Sequence, residues 1–257
     1  MMRNEDPRDS TIPIRLKEIS VILPAVSYKG GVGKTTISSL LALSLADSGA
    51  SVGLLDLDFT NPSTHLVLGL DLNVAMPRED KGILPVEVEG IKLMTLAFFT
   101  KNNPTPLRGK ELNEAFKEIL SITIWGKLDF LVIDMPPGLS DITLNVLRFM
   151  KEKLYPLVIS SSSKLSIHPT INLIRMFSEI GILPIALILN EGAGSPKLYS
   201  EILDAYQKEN IGKIFRIERD DRIENAYGNP DLLRKTTVYA ALKQLSRDLL
   251  ATFGKKS

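Results

Sequence analysis

The chain has 257 residues, with 31 Lys and Arg against 30 Asp and Glu and a formal net charge of +1, a balance that exerts no global pull on nucleic acid or anionic membrane. Apolar residues at 44% and charged ones at 24% exclude a disordered or membrane-embedded chain. Cysteine is absent, which excludes disulfides, thiolate metal sites and cysteine nucleophiles within the chain. Residues 1–19 are mixed in charge (Arg3, Glu5, Asp6, Arg8, Asp9), lack the apolar core of a signal peptide and read as an N-terminal tail. One domain is expected over 20–257. No apolar run approaches the ~18 residues of a membrane helix, so a soluble cytoplasmic protein is expected.

Residues 22–27 read as a short apolar strand. Pro24 cannot donate to a central ladder and is placed where pairing of that strand begins. A helix over 35–48 carries Ile37, Leu40, Leu41, Leu43 and Leu45 on a broad apolar face, with Gly49 as its stop. Strands at 51–57, 91–98, 130–134, 157–160 and 185–190 then alternate with helices at 111–122, 142–150, 169–180 and 197–209. The alternation predicts an α/β fold with a doubly wound, mainly parallel sheet and helices on both faces.

Between the first strand and first helix runs Lys29-Gly30-Gly31-Val32-Gly33-Lys34-Thr35-Thr36. Glycines let several backbone N–H groups approach a phosphate, and the helix start adds the positive end of its dipole. Lys34 is then placed to reach β- and γ-phosphates, and the Thr35 hydroxyl to ligate Mg²⁺. The strict pattern would have Gly at 28, where Tyr28 stands, and Lys29 is a second lysine. The loop binds ATP on this reading, through Gly30, Gly31, Val32, Gly33, Lys34, Thr35 and Thr36.

A phosphoryl-transfer site also needs oxygen ligands for Mg²⁺ and a positioned water. Asp56 and Asp58 end an apolar strand at i, i+2, so in an extended strand they share a side. Leu131-Val132-Ile133-Asp134 is a second apolar strand ending in an acid. Asp134 is assigned to Mg²⁺, through water. Pro136-Pro137-Gly138 follows directly and suits a switch loop that senses the γ-phosphate.

The loop K-G-G-x-G-K-T-T resembles the deviant phosphate loop of the MinD/ParA/Mrp ATPases. Asp56-x-Asp58 with Pro62-Ser63, Arg108-Gly109, Trp125-Gly126-Lys127-Leu128-Asp129 and Asp134-Met135-Pro136-Pro137-Gly138-Leu139-Ser140-Asp141 narrow the resemblance to the Mrp/ApbC family, over about residues 20–232. The resemblance implies an ATPase that carries or assembles iron–sulfur clusters. It implies that Lys29 reaches a partner subunit's nucleotide in an ATP-dependent homodimer, that Asp58 orients or activates the attacking water, and that Asp56 assists the metal shell. It further implies that Asn190 meets the adenine and that Asp220 with Gly228-Asn229-Pro230 forms a nucleotide-proximal loop.

One departure matters chemically. Cluster-carrying members have Cys-x-x-Cys after the Asn190 position, where two subunits share one cluster. Here the segment reads Asn190-Glu191-Gly192-Ala193-Gly194-Ser195-Pro196-Lys197-Leu198. Serine oxygen is a poor substitute for thiolate. The expected protein is therefore a Mg²⁺-ATPase with a dimer switch and an unidentified protein partner, holding no cluster through its own cysteines. A MinD/ParA-like positioning ATPase on membrane or DNA and a nucleotide-binding adaptor without turnover are the alternatives. The stripe Tyr239, Leu242, Leu245, Leu249, Phe253, near Lys243, Arg247, Lys255 and Lys256, is expected to pack on the sheet rather than on a membrane. His65 and His168 lack metal-ligand spacing and read as structural or surface residues. The serines at 160–163 read as a polar loop at the sheet edge.

Overall fold

A computed structural model describes residues 6–100, 108–190, 196–209 and 211–254. Helix α1 (Pro7–Leu16) precedes β1 (Ile19–Val26), α2 (Lys34–Asp47), β2 (Val52–Asp56) and α3 (Thr64–Leu68). Three short strands, β3 (Arg78–Glu79), β4 (Ile83–Leu84) and β5 (Val86–Val88), lead to β6 (Ile91–Thr95), α4 (Ala97–Thr100) and α5 (Lys110–Ile122). Then come β7 (Leu128–Asp134), α6 (Asp141–Met150), β8 (Leu157–Ser161), α7 (Lys164–Glu179), β9 (Ala186–Asn190) and α8 (Pro196–Tyr206). The chain continues through β10 (Lys213–Ile217), α9 (Ile223–Ala226), α10 (Pro230–Leu233) and α11 (Thr237–Phe253).

The main sheet runs β10-β9-β8-β1-β7-β2-β6-β5. Every pair in it is parallel except β5 with β6. The crossover from β1 through α2 moves one way along this order. Those from β6 through α5 and from β7, β8 and β9 through α6, α7 and α8 move the other way. Right-handed crossovers therefore put α2 on one face and α5 to α8 on the other, which is the doubly wound arrangement expected from the sequence. The chain reverses direction about β1, so the loop after β1 opens at the switch point where such sheets bind ligands.

Covered on both faces, the central strands are apolar runs rather than alternating ones. Leu23, Leu131, Val132 and Ile133 are fully buried. The final helix buries Leu242, Leu245 and Leu249, but it packs chiefly on α2, where Ser246 Oγ donates to Ser44 Oγ at 3.0 Å, and meets the sheet at β10. Lys255 and Lys256 lie outside the described residues.

Four local readings change. The expected N-terminal tail contains α1, which packs on α5 and α6 and buries Ile12 and Leu16. Asp6 and Asp9 tie it down through Lys117 at 3.0 and 2.6 Å. The strand expected at 91–98 stops at Thr95, and Ala97–Thr100 turns helical. Helix α7 starts at Lys164, capped by the Ser163 hydroxyl, and takes Pro169 into its interior. Pro24 lies inside β1, opposite Ile133 of β7. The Ile22 carbonyl accepts from Tyr155 N, so alternation turns residue 24 to the same side. Pairing of β1 with β8 begins at Ala25, and the missing N–H falls at the start of that ladder. The serine run is structural: Ser160 Oγ bonds Thr170 Oγ1 at 3.0 Å and Tyr206 Oη at 3.3 Å, binding β8 to α7 and α8.

Candidate functional site: a phosphate loop over two buried carboxylates

Gly31 and Gly33 take left-handed φ values of 74° and 85°, which β-carbons would strain. Gly33 is also the N-cap of α2, with no side chain capping the helix, so the first N–H groups of α2 are free for an anion. A β-carbon at Gly33 would stand 2.4 Å from Asn190 Nδ2. That amide donates to the Val32 carbonyl at 2.8 Å. Asn190, at the end of β9, thus holds the loop itself.

Lys34 is buried, and its ammonium lies 3.2 Å from Asp134 Oδ1. Thr35 Oγ1 donates to Asp134 Oδ2 at 2.6 Å. The loop's lysine and the Thr35 hydroxyl therefore converge on one carboxylate at the end of β7. Asp56 stands beside it, paired in register with Asp134. Both are fully buried. Burial, then the charge of Asp134, pushes the Asp56 carboxyl up to about 8, against the pull of Thr64. Burial likewise raises Asp134, against Lys34 and Thr35. The Lys34 ammonium offsets Asp134, while Asp56, raised in this way, keeps its proton near neutral pH unless a further cation is brought to the pair. A divalent cation would favour both groups as carboxylates, and the oxygen donors present suit Mg²⁺.

Strand β2 ends at Asp56, so Asp58 is placed by a loop and not by strand alternation, a correction to the i, i+2 expectation. Asp56 organises that loop. Its Oδ1 accepts from Asp58 N at 3.1 Å, and its Oδ2 from Ser63 N, Thr64 N and Thr64 Oγ1 at 3.1, 3.2 and 2.9 Å. Asp58 is half-buried and accepts from Thr60 Oγ1 at 2.9 Å.

The Pro-Pro-Gly turn lies against the phosphate loop. Gly138 N donates to Ser27 O at 2.9 Å, and Pro137 packs 3.9 Å from where a β-carbon of Gly30 would sit. Lys29 is exposed, with Nζ 3.5 Å from Leu165 O. That carbonyl has no helical donor four residues on, because Pro169 lacks an N–H.

A cavity of about 590 Å³ opens beside the loop, lined among others by Gly31, Gly33, Thr36, Asn190, Asp220 and Tyr227. Asp220 anchors its outer wall. It accepts from Arg222 N, Nε and Nη2 and from Thr237 N and Oγ1, pinning the start of α11 to the cavity loop. The Arg222 guanidinium and the Thr237 N–H hold its carboxyl below the usual carboxylate range. A lowered folded pKa stabilises the fold above ~4 and the gain is lost as pH falls below it. Asp220→Asn should therefore melt earlier than wild type at pH 7, and thermal melts should converge as pH drops towards 2.

Sequence reasoning missed Tyr227, whose hydroxyl lies 2.8 Å from Thr36 Oγ1. No local pattern links residues so far apart. The segment 191–195, where the resemblance would place cysteines, lies outside the described residues.

A glycine loop between a central parallel strand and a helix, with a buried strand-end acid beside it, is the P-loop NTPase arrangement. The model of the ParA family described as NUBPL iron-transfer P-loop NTPase matches residues 18–216. An iron-sulfur cluster carrier protein of Methanococcus maripaludis is 30% identical over 209 residues, 80% of this chain and 70% of that protein. The chloroplastic Fe-S cluster assembly factor HCF101 of Arabidopsis thaliana is 34% identical over 180 residues, 70% of this chain and 34% of its own length. The chain thus spans about a third of that relative. A nucleotide-binding protein of Archaeoglobus fulgidus, solved in complex with ADP, superposes with a TM-score of 0.74 at 26% identity, covering 90% of this chain and 95% of that one. The chain belongs to the Mrp/ApbC-type iron-transfer P-loop NTPase family. It carries no cysteine with which to hold a cluster. Among the described residues, no helix is long and apolar enough to cross a membrane.

Proposed function

We propose that the chain binds ATP with Mg²⁺, hydrolyses it slowly, and switches between monomer and homodimer as it does so. One observation carries this reading: Lys34 and Thr35 are gathered on the buried Asp134. The N–H groups of residues 30–36 would wrap the phosphates, and Lys34 would move from Asp134 to the β- and γ-phosphates. Thr35 and Asp134 would hold the cation, with Asp56 alongside. Mg²⁺, when bound, would offset the charge that develops on the phosphoryl oxygens. Asp58, on the loop that Asp56 orders, would orient the attacking water. Asn190, bonded to Val32, keeps the loop open towards the cavity in which the base would sit.

The dimer reading rests on the surface beside the loop. Tyr28, Leu139 and Leu165 are 46%, 51% and 77% exposed there, next to Lys29. In the dimer Lys29 leaves the Leu165 carbonyl for the partner's nucleotide, where a cation stabilises the transferring phosphoryl group. Lys29→Ala should lose ATP-dependent dimerisation in light scattering and most of its turnover; both unchanged would remove the role of Lys29 in trans.

The protein's place is proposed as accessory to iron–sulfur cluster assembly in the cytoplasm, with a protein partner that supplies the thiolates. A MinD-like membrane role finds no support in α11, whose apolar face is spent on α2. ATP-dependent co-sedimentation with liposomes or DNA would revive the positioning alternative.

A further inference from the structure

Thr35 and Thr36 point their hydroxyls to different partners. Thr35 bonds Asp134, on the cation side. Thr36 lines the cavity and meets the Tyr227 hydroxyl at 2.8 Å. Tyr227 is in turn fixed from behind. Gly228 N donates to Val67 O at 3.1 Å. Gly69 approaches the same turn so closely that its β-carbon would meet Gly228 O at 2.3 Å. Val67 lies in α3, and the first turn of α3 hangs on Asp56 through Thr64 N and Thr64 Oγ1. A run of direct contacts thus joins the strand-end carboxylate Asp56 to α3, the Gly69–Gly228 crossing, Tyr227 and Thr36.

We propose that Tyr227 is a positioning residue for bound nucleotide. Its hydroxyl holds the Thr36 side chain towards the cavity, and α3 sets how near the Tyr227 wall stands to the phosphate loop. The loop that carries Asp58 and the wall that carries Tyr227 then move as one unit, because both are built on α3 and its N-terminal anchor. The inference rests on the nucleotide-binding reading. It adds a residue through which the hydrolytic end of the site reaches the opposite end of the nucleotide.

The test is calorimetric titration of the full chain with Mg-ATP, using Tyr227→Phe, Thr36→Val, the double variant and Gly69→Ala. Tyr227 is 36% exposed, so losing its hydroxyl spares the core. Each single hydroxyl deletion should weaken ATP binding about threefold to tenfold, the range of one net hydrogen bond. The double variant should be no weaker than Thr36→Val alone, since both changes remove the same bond. In turnover, the Tyr227→Phe loss should fall on KM rather than kcat. Gly69→Ala should weaken ATP binding in the same direction by displacing Gly228. Wild-type affinity in Tyr227→Phe, additive losses in the double variant, or wild-type affinity in Gly69→Ala would each overturn the proposal while leaving nucleotide binding intact. A wild-type chain that binds no ATP would overturn both.

Discussion

Asp134→Ala should lose about 3 kcal/mol of stability in urea unfolding, the low end of the penalty for breaking a buried ion pair. The carboxylate is fully buried and is the acceptor for both Lys34 and Thr35. Without it, the Lys34 ammonium stays in a low-dielectric pocket with no counter-charge, and the Thr35 hydroxyl loses its acceptor. Lys34 has a long stem beside an open loop, which lets the ammonium reach water and keeps the cost from rising further. Asp134→Asn should cost less, because an amide oxygen still accepts from Thr35. Both variants should lose the Mg²⁺ dependence of ATP binding. An Asp134→Ala chain as stable as wild type would show that the pair does not form in solution.

Lys34→Ala should bind ATP about a hundredfold more weakly than wild type, the upper range for a charge-assisted hydrogen bond. Its effect on stability should be the smaller of the two. Burial already raises the Asp134 carboxyl, so the stranded group escapes its penalty by taking a proton. A buried ammonium without a partner can shed its proton less readily near neutral pH. Fluorescence titration with an ATP analogue, read beside a urea curve, separates the two effects. Comparable affinity in Lys34→Ala and wild type would place the nucleotide away from this loop.

Much of the site was legible because its residues are local in sequence. Gly30, Gly31, Gly33, Lys34 and Thr35 fall within one loop, and the backbone requirement they answer is itself local. Asp134 was legible as an acid ending a buried β-branched strand. The roles of Asp56 and Asn190 were less so. Strand periodicity placed Asp56 and Asp58 side by side, but the strand ends between them, and Asp56 spends its oxygens on the backbone of the next loop. Asn190 bonds a carbonyl 158 residues away. The pairs Tyr227 with Thr36 and Gly69 with Gly228 are set by tertiary approach, which no period records. Helix α1 was hidden because its charged residues, read as solvated tail, are partners for Lys117 and Arg148. Strand β10 is short and half-exposed, with a weak pattern of its own.

The missing cysteines divide the family's chemistry in two. The residues that the resemblance assigns to the nucleotide are present, from the glycine loop to both strand-end acids. The thiolates are absent throughout the chain. If ATP turnover drives a switch here, its output must act on a cluster held by another protein or on no cluster at all.

The most direct test of the account is steady-state phosphate release by the purified chain with ATP, with and without Mg²⁺, beside Lys34→Ala. Wild type should release phosphate slowly and only with Mg²⁺, and Lys34→Ala should release none. Equal release from wild type and Lys34→Ala, or none from wild type even when it binds Mg-ATP, would contradict the ATPase reading.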